Sequence, residues 1–255
     1  MKSKKMCNKE IILEVKDLSF GYSASQGQVL RNVNVSVARG DCLSILGESG
    51  SGKTTLLKMM CGLLKADSGN VIFEGKVLNG PDERISIMFQ NYGLLPWKTV
   101  RQNVLLPLQI RGEKPDPEKV AELLRYLGLE EHADKYPGAL SGGQKQRCAL
   151  GRAVMSRSQL ILMDEPFSAL DIRNRGKLQA FIRQFLKDMD MSCVMVTHSV
   201  EEALTMGDEV VIFDAGEGRI TQTFEGMRGR EEEIGSDLYY HQLRSIQDIL
   251  NREMS

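Results

Sequence analysis

The sequence predicts an α/β fold: a parallel sheet, an antiparallel β-region ahead of it and a helical segment inserted near the middle. Three observations predict it. The runs Cys42-Leu43-Ser44-Ile45-Leu46, Leu160-Ile161-Leu162-Met163 and Cys193-Val194-Met195-Val196-Thr197 are short and almost continuously apolar, as strands covered on both faces must be. Val33, Val35 and Val37 alternate with polar residues, the period of a sheet with one wet face. Residues 94–156 carry no convincing strand and show a helical stripe at Val120, Leu123, Leu124 and Leu127. Residues 1–93 and 157–255 are therefore expected to form the α/β core, and 94–156 a helical subdomain.

The chain has 255 residues, 42% hydrophobic and 26% charged, which suits one large globular domain. A formal net charge of -1 provides no bulk attraction to nucleic acid. Cys7, Cys42, Cys61, Cys148 and Cys193 are scattered and form no C-x-x-C pair, so neither a zinc site nor a disulfide framework is expected, and a reducing cytoplasm fits. Residues 1–6 are basic but no apolar signal core follows, and no run approaches the length of a membrane span.

In chain order, residues 11–15, 18–22 and 29–37 read as strands, with a polar connection at 23–28. Tyr22 either stacks on a nucleotide base or packs at the sheet edge. Next comes the strand 42–46, then Gly47-Glu48-Ser49-Gly50-Ser51-Gly52-Lys53-Thr54, then a helix from about Thr55 that Gly62 ends. Glycines between a strand and a helix let successive N–H groups turn inward, and the helix start adds positive potential, so the loop suits a polyphosphate. Lys53 would reach its outer phosphates, Thr54 would ligate Mg²⁺ and Thr55 would lie near the innermost phosphate.

Residues 67–70 read as a turn before a strand at 71–73, and 85–89 as a further strand with Gln90 at its end. There, at the carboxyl edge of a parallel sheet, Gln90 is placed to sense a metal or an attacking water. Leu94, Leu95 and Trp97, the only tryptophan, make an apolar loop that is either core or a groove for a partner's helix. Residues 100–110 and 117–127 read as helices.

Ser141 is a candidate N-cap for a helix running through Ala153, preceded by Leu140 and followed by Gly142, Gly143 and Gln144. This is a second anion-friendly helix start. Two such starts in different subdomains cannot easily grip one polyphosphate within one monomer, which predicts a dimer with nucleotide between unlike sites. At the end of strand 160–164, Asp164 can hold Mg²⁺ through water and Glu165 can orient or deprotonate a water. A tight connection over 167–171 leads to a helix at about 174–188. His198 at the end of strand 193–197 is read as a phosphate hydrogen bonder. A helix at 200–206, strands at 209–213 and 219–224, a solvated charged link at 228–233, and a final helix docked by Leu238, Leu243, Ile246 and Leu250 complete the chain.

Taken together, these motifs resemble those of ATP-binding cassette (ABC) ATPases over essentially the whole chain. Residues 47–54 match the Walker A motif and Gln90 the Q-loop; Leu140-Ser141-Gly142-Gly143-Gln144 matches the family signature. Residues 160–165 match Walker B with its catalytic glutamate, Ser168-Ala169-Leu170-Asp171 the D-loop, His198 the switch histidine and Tyr22 the adenine-stacking aromatic. The resemblance implies a P-loop NTPase (RecA-like) core and ATP with Mg²⁺ as ligands. It also implies a homodimer in which the Walker residues of one copy and the signature of the other enclose each nucleotide. Glu165 would then position the water, and His198 would hold the γ-phosphate. Gln90 would relay closure to an integral membrane permease.

Phe89-Gln90 followed by Leu94-Leu95-Pro96-Trp97-Lys98-Thr99-Val100 and Asn103-Val104 is similar to ATPases of nitrate, sulfonate and taurine importers. Asn91, Tyr92 and Ser199 depart from that pattern, Ser199 standing where Asp is common. The expected role is import of a small solute delivered by an extracytoplasmic binding protein, with this subunit peripheral on the cytoplasmic face of the inner membrane. An exporter or lipoprotein-release ATPase shares the catalytic motifs. A chromosome, repair or ribosome ATPase is disfavoured by the compact span between Gln90 and Ser141, the single cassette and the charge.

Overall fold

The computed structural model describes residues 9–22, 27–168 and 172–253. Chain order is β1 (Ile11–Phe20), β2 (Leu30–Ala38), β3 (Cys42–Leu46), α1 (Lys53–Met60), β4 (Ser68–Phe73), β5 (Lys76–Val77) and β6 (Ile85–Met88). Four helices follow: α2 (Val100–Val104), α3 (Leu106–Arg111), α4 (Pro117–Tyr126) and α5 (Gly142–Met155). The rest is β7 (Leu160–Asp164), α6 (Ile172–Asp188), β8 (Ser192–Thr197), α7 (Val200–Met206), β9 (Glu209–Asp214), β10 (Arg219–Glu225) and α8 (Asp237–Glu253).

Two sheets form. The smaller is antiparallel, in the order β2-β1-β4-β5; the larger is β10-β9-β3-β8-β7-β6. In the larger sheet β9, β3, β8, β7 and β6 are parallel neighbours, and β10 pairs antiparallel at the edge. Every residue of β3, β7 and β8 is buried. The strand period of two sorts their side chains between two cores. Leu43, Ile45, Leu160, Leu162, Val194 and Val196 pack with α1 and the antiparallel sheet. Cys42, Ile161, Met163, Cys193 and Met195 pack on the opposite face with α5, α6 and the segment around α2 and α4. A third cluster joins Leu46, Val210 and Ile212 to α7 and α8. The α/β class, the antiparallel opening region and the absence of strands from 94 to 156 are all as expected.

Local differences have local causes. The stretches 11–15 and 18–22 are one strand interrupted by irregular pairing at Asp17, whose φ is 50° and whose N–H donates to Asn34 Oδ1 at 2.9 Å. The helix expected over 100–110 is two helices, because Pro107, in the first turn of α3, has no N–H to continue α2. The expected turn at 67–70 is largely strand, since Ser68 and Asn70 already pair with β1. The link at 228–233 is not simply solvated. The Arg228 side chain is only 11% exposed, donates to Gly40 O at 2.8 Å and pairs with Asp208 at 2.6 Å. In α8, Leu238 is exposed; Tyr239 and Ile246 are the buried anchors, with Leu243 and Leu250 packed beside them.

Candidate functional site

The loop between β3 and α1 is shaped by close approach. Gly47 is buried, and a Cβ there would lie 2.5 Å from Phe213 O. Gly52 has φ 111°, which L side chains rarely adopt, and serves as the N-cap of α1. No side chain caps that helix start, whereas Thr99, Asp116, Ser141 and Ser199 cap α2, α4, α5 and α7. The first-turn N–H groups of α1 are thus left for an anion.

Lys53 is buried, and its ammonium is satisfied within the loop. Nζ donates to Gly47 O at 2.8 Å, to Glu48 O and to Ser51 Oγ at 3.3 Å. Burial lowers its pKa, opposed by the charges of Glu165, Asp164 and Glu48. Thr54 Oγ1 donates to the Asp164 carboxylate at 2.9 and 3.1 Å. Burial raises the Asp164 pKa, and the Thr54 hydrogen bond counteracts that rise.

Glu165 follows β7 with φ 45°, a conformation that costs a non-glycine residue about 1–3 kcal/mol. It is fixed there because its N–H donates to Val196 O at 3.0 Å and its carbonyl accepts from Ser168 N and Oγ at 3.2 and 3.0 Å. The result turns its carboxylate toward His198, with Oε1 3.2 Å from Nδ1. Gln90 Nε2 donates to Ser168 Oγ at 3.2 Å, so the ends of β6 and β7 are linked through one serine. Residues 169–171, the rest of the expected D-loop, lie outside the described residues.

A cleft of about 440 Å³ is lined by Tyr22, Val29, Ser49, Gly50, Gly52, Lys53, Thr54, Thr55, Gln90, Asp164 and Glu165. Its size is that of a small-ligand pocket. The Tyr22 ring is about half exposed, lies edge-on to Phe20 and shares a 2.9 Å hydroxyl bond with Thr55 Oγ1. The ring packs at the strand end and also borders the cleft. A second cleft, of about 670 Å³, separates Glu48, Ser49 and His198 from Arg244, Gln247 and Asp248 on α8. Val29 and these α8 residues belong to no motif in the sequence. Only tertiary contact reveals them.

Ser141, Gly142, Gly143 and Gln144 do not line either cleft. Ser141 caps α5 reciprocally with Gln144: Ser141 Oγ accepts from Gln144 N at 3.3 Å, and Gln144 Oε1 accepts from Ser141 N at 2.9 Å. Ser141 itself is exposed. The structure thus gathers Tyr22, Ser49, Gly50, Gly52, Lys53, Thr54, Thr55, Gln90, Asp164 and Glu165 on one cleft, places Gly47, Glu48 and His198 on the other, and keeps Ser141, Gly142, Gly143 and Gln144 out of both. Trp97 is 69% exposed, which excludes the core reading for its ring, whereas Leu94 is partly buried and packs against the core beside α2, α4 and α5. Its loop is held by buried Asn103, whose side chain accepts from Leu95 N and donates to the carbonyls of Leu95, Lys98 and Thr99.

The ABC transporter family model matches residues 30–168. The chain is 40% identical over 88% of its length to the nitrate import ATP-binding protein NrtC of Synechocystis sp., and spans 35% of that relative's length. It is 38% identical to the taurine import ATP-binding protein TauB of Escherichia coli O157:H7, over 76% of this chain and 77% of that one. Among solved structures, the ATP-binding cassette MJ0796, a dimer in a post-hydrolysis state bound to ADP and Pi, superposes with a TM-score of 0.72. It is 28% identical, covering 84% of this chain and 98% of that one. The chain belongs to the ABC transporter family.

Proposed function

We propose that this chain is the ATP-hydrolysing subunit of an importer for a small solute. The single observation that carries the reading is the convergence of Lys53, Thr54, Gln90, Asp164 and Glu165 on one cleft beside an uncapped helix start. A triphosphate in the loop takes the N–H groups of residues 48–54, and Lys53 exchanges its loop carbonyls for phosphate oxygens. Thr55 lies near the innermost phosphate, and Tyr22 stacks on the base.

Magnesium suits the residues present. Thr54 and Asp164 offer hard oxygen donors within hydrogen-bond distance of one another. Among the described residues there is no cluster of three or more His, Cys, Asp or Glu side chains that would make an all-protein cage. That matches a metal that takes most of its ligands from phosphate and water. Thr54 and Asp164 would hold it, with Gln90 in reach, and when bound it neutralises charge on the outer phosphates. Glu165 orients the attacking water and accepts its proton, and His198 steadies Glu165 and the terminal phosphate.

Residues 94–156 act as a helical subdomain on the nucleotide-binding remainder. Ser141, Gly142, Gly143 and Gln144, which do not line the cleft of their own chain, complete the site of a second copy. The loop carrying exposed Trp97 faces an integral membrane permease, and the solute reaches it from an extracytoplasmic binding protein. The subunit itself sits peripherally on the cytoplasmic face of the membrane; no helix among the described residues is long and apolar enough to cross it. The kinship with a nitrate and a taurine import protein supports import of a small solute.

The test is a structure with a non-hydrolysable ATP analogue and Mg²⁺, paired with Ser141→Arg in solution. A nucleotide touching Lys53 of one copy and Ser141 of the other supports the reading, as does loss of turnover in Ser141→Arg with single-chain nucleotide binding intact. A nucleotide that meets no Ser141 from either copy overturns the sandwich.

A further inference from the structure

Glu202, on α7, is a buried carboxylate outside the cleft. Its side chain is 6% exposed. Oε2 accepts a 2.6 Å hydrogen bond from Thr197 Oγ1, and Oε1 lies 3.3 Å from Arg175 Nη1 on the first turns of α6. A carboxylate this buried is tolerated only when it is paired.

What it pairs with is specific. Thr197 is the last residue of β8, is 1% exposed and immediately precedes His198. Its carbonyl accepts from Gly47 N at 3.3 Å, and its Oγ1 accepts from Ser199 N at 3.1 Å. A threonine hydroxyl has one proton to donate. Committing that proton to Glu202 turns the lone pairs toward Ser199 N–H. The turn 197–199, and so the direction in which His198 leaves the sheet, is thereby set from beneath. The His198 ring is more than half exposed and, among the described residues, has Glu165 as its one polar partner, so its own surroundings do little to orient it.

We propose that Glu202 and Arg175 are positioning residues for His198, acting through Thr197, and that they tie the His198 turn to the start of α6. The effect on turnover rests on the hydrolytic role proposed above, whereas the placement of the ring does not. Neither side chain lines the cleft, so their loss should lower kcat without weakening nucleotide binding.

The chain has three histidines, so their Cε1–H resonances can be assigned by single substitutions and followed in the intact protein without nucleotide. In Glu202→Ala the His198 resonance is expected to move while those of His132 and His241 stay. The kcat for ATP should fall about tenfold or more, as for a misplaced catalytic group, with KM within about twofold. Glu202→Gln keeps an acceptor for Thr197 and should return His198 most of the way; Thr197→Ser should match the wild type and Thr197→Val should resemble Glu202→Ala. If Glu202→Ala does not fold, Thr197→Val against Thr197→Ser carries the same comparison. An unmoved His198 resonance overturns the assignment, as does a common shift of all three histidines or a rise in KM that accounts for the loss. A wild-type chain that hydrolyses no ATP would sink the proposed function, and the resonances would still decide the positioning.

Discussion

Glu165 Oε1 and His198 Nδ1 lie 3.2 Å apart, although one residue follows β7 and the other follows β8. The two strands are parallel neighbours, with Asp164 level with Val196, so the residue after each strand emerges at the same edge. Glu165→Gln keeps the side-chain shape and removes the base. Turnover is expected to fall about 100-fold or more while Mg-ATP still binds, so the enclosed dimer accumulates. Light scattering at saturating Mg-ATP checks it: a persistent monomer would count against enclosure by two copies.

Lys53→Ala removes a cation whose hydrogen bonds in the loop are exchanged for phosphate oxygens. Charge-assisted hydrogen bonds of this kind suggest a loss of about 10- to 100-fold in nucleotide affinity. The fold should survive, because burying the ammonium is unfavourable and its pKa is lowered by desolvation. Titration with a fluorescent ATP analogue and a thermal melt test both halves. Unchanged affinity would refute the phosphate-loop assignment.

Trp97→Ala should leave the isolated subunit folded and hydrolytic, since the ring is largely exposed and its loop is held by Asn103 rather than by Trp97. Surface changes of this kind stay within about 0.5 kcal/mol. In reconstituted vesicles with the permease, transport per ATP should drop. A large fall in melting temperature, or full coupling, would show that the ring is not a docking contact.

Tyr126 OH donates to Asp188 Oδ2 at 2.6 Å, joining α4 to α6. That bond and one from Gln184 hold the Asp188 pKa below the ordinary carboxylate range, while burial and Asp188 push Tyr126 up to about 12. A depressed carboxylate contributes stability above its unfolded pKa and loses it as pH falls through the lower folded value. A raised phenol contributes below its unfolded pKa and loses it as pH rises toward 12. Tyr126→Phe should therefore melt lower than wild type at pH 7, with the two curves converging in acid below the Asp range. A gap that persists there would assign the effect to packing against Phe181 and Phe185 instead.

Ser199 shows how a departure from a family pattern can be absorbed. Where Asp is common after the switch histidine, Ser199 still caps α7 by accepting from Glu202 N. The departure changes the atom that caps, and the helix start survives, because Ser and Asp are comparable N-caps.

The sequence by itself determined the fold class, the loop at 47–54 and the lining of the smaller cleft apart from Val29. Each rests on a local rule: apolar runs bury, glycines curl the backbone, and a capping residue announces a helix. The same local rules could not locate Arg175 or the α8 wall at Arg244, which lie far along the chain from the residues they face, nor show that Glu202 turns its carboxylate back onto Thr197. Nor could they decide whether Trp97 was core or surface, or that Arg228 is buried against Asp208. Those outcomes depend on which strands lie side by side, and a sheet ordered β10-β9-β3-β8-β7-β6 joins ends that the sequence keeps more than a hundred residues apart, as Thr54 and Asp164 are.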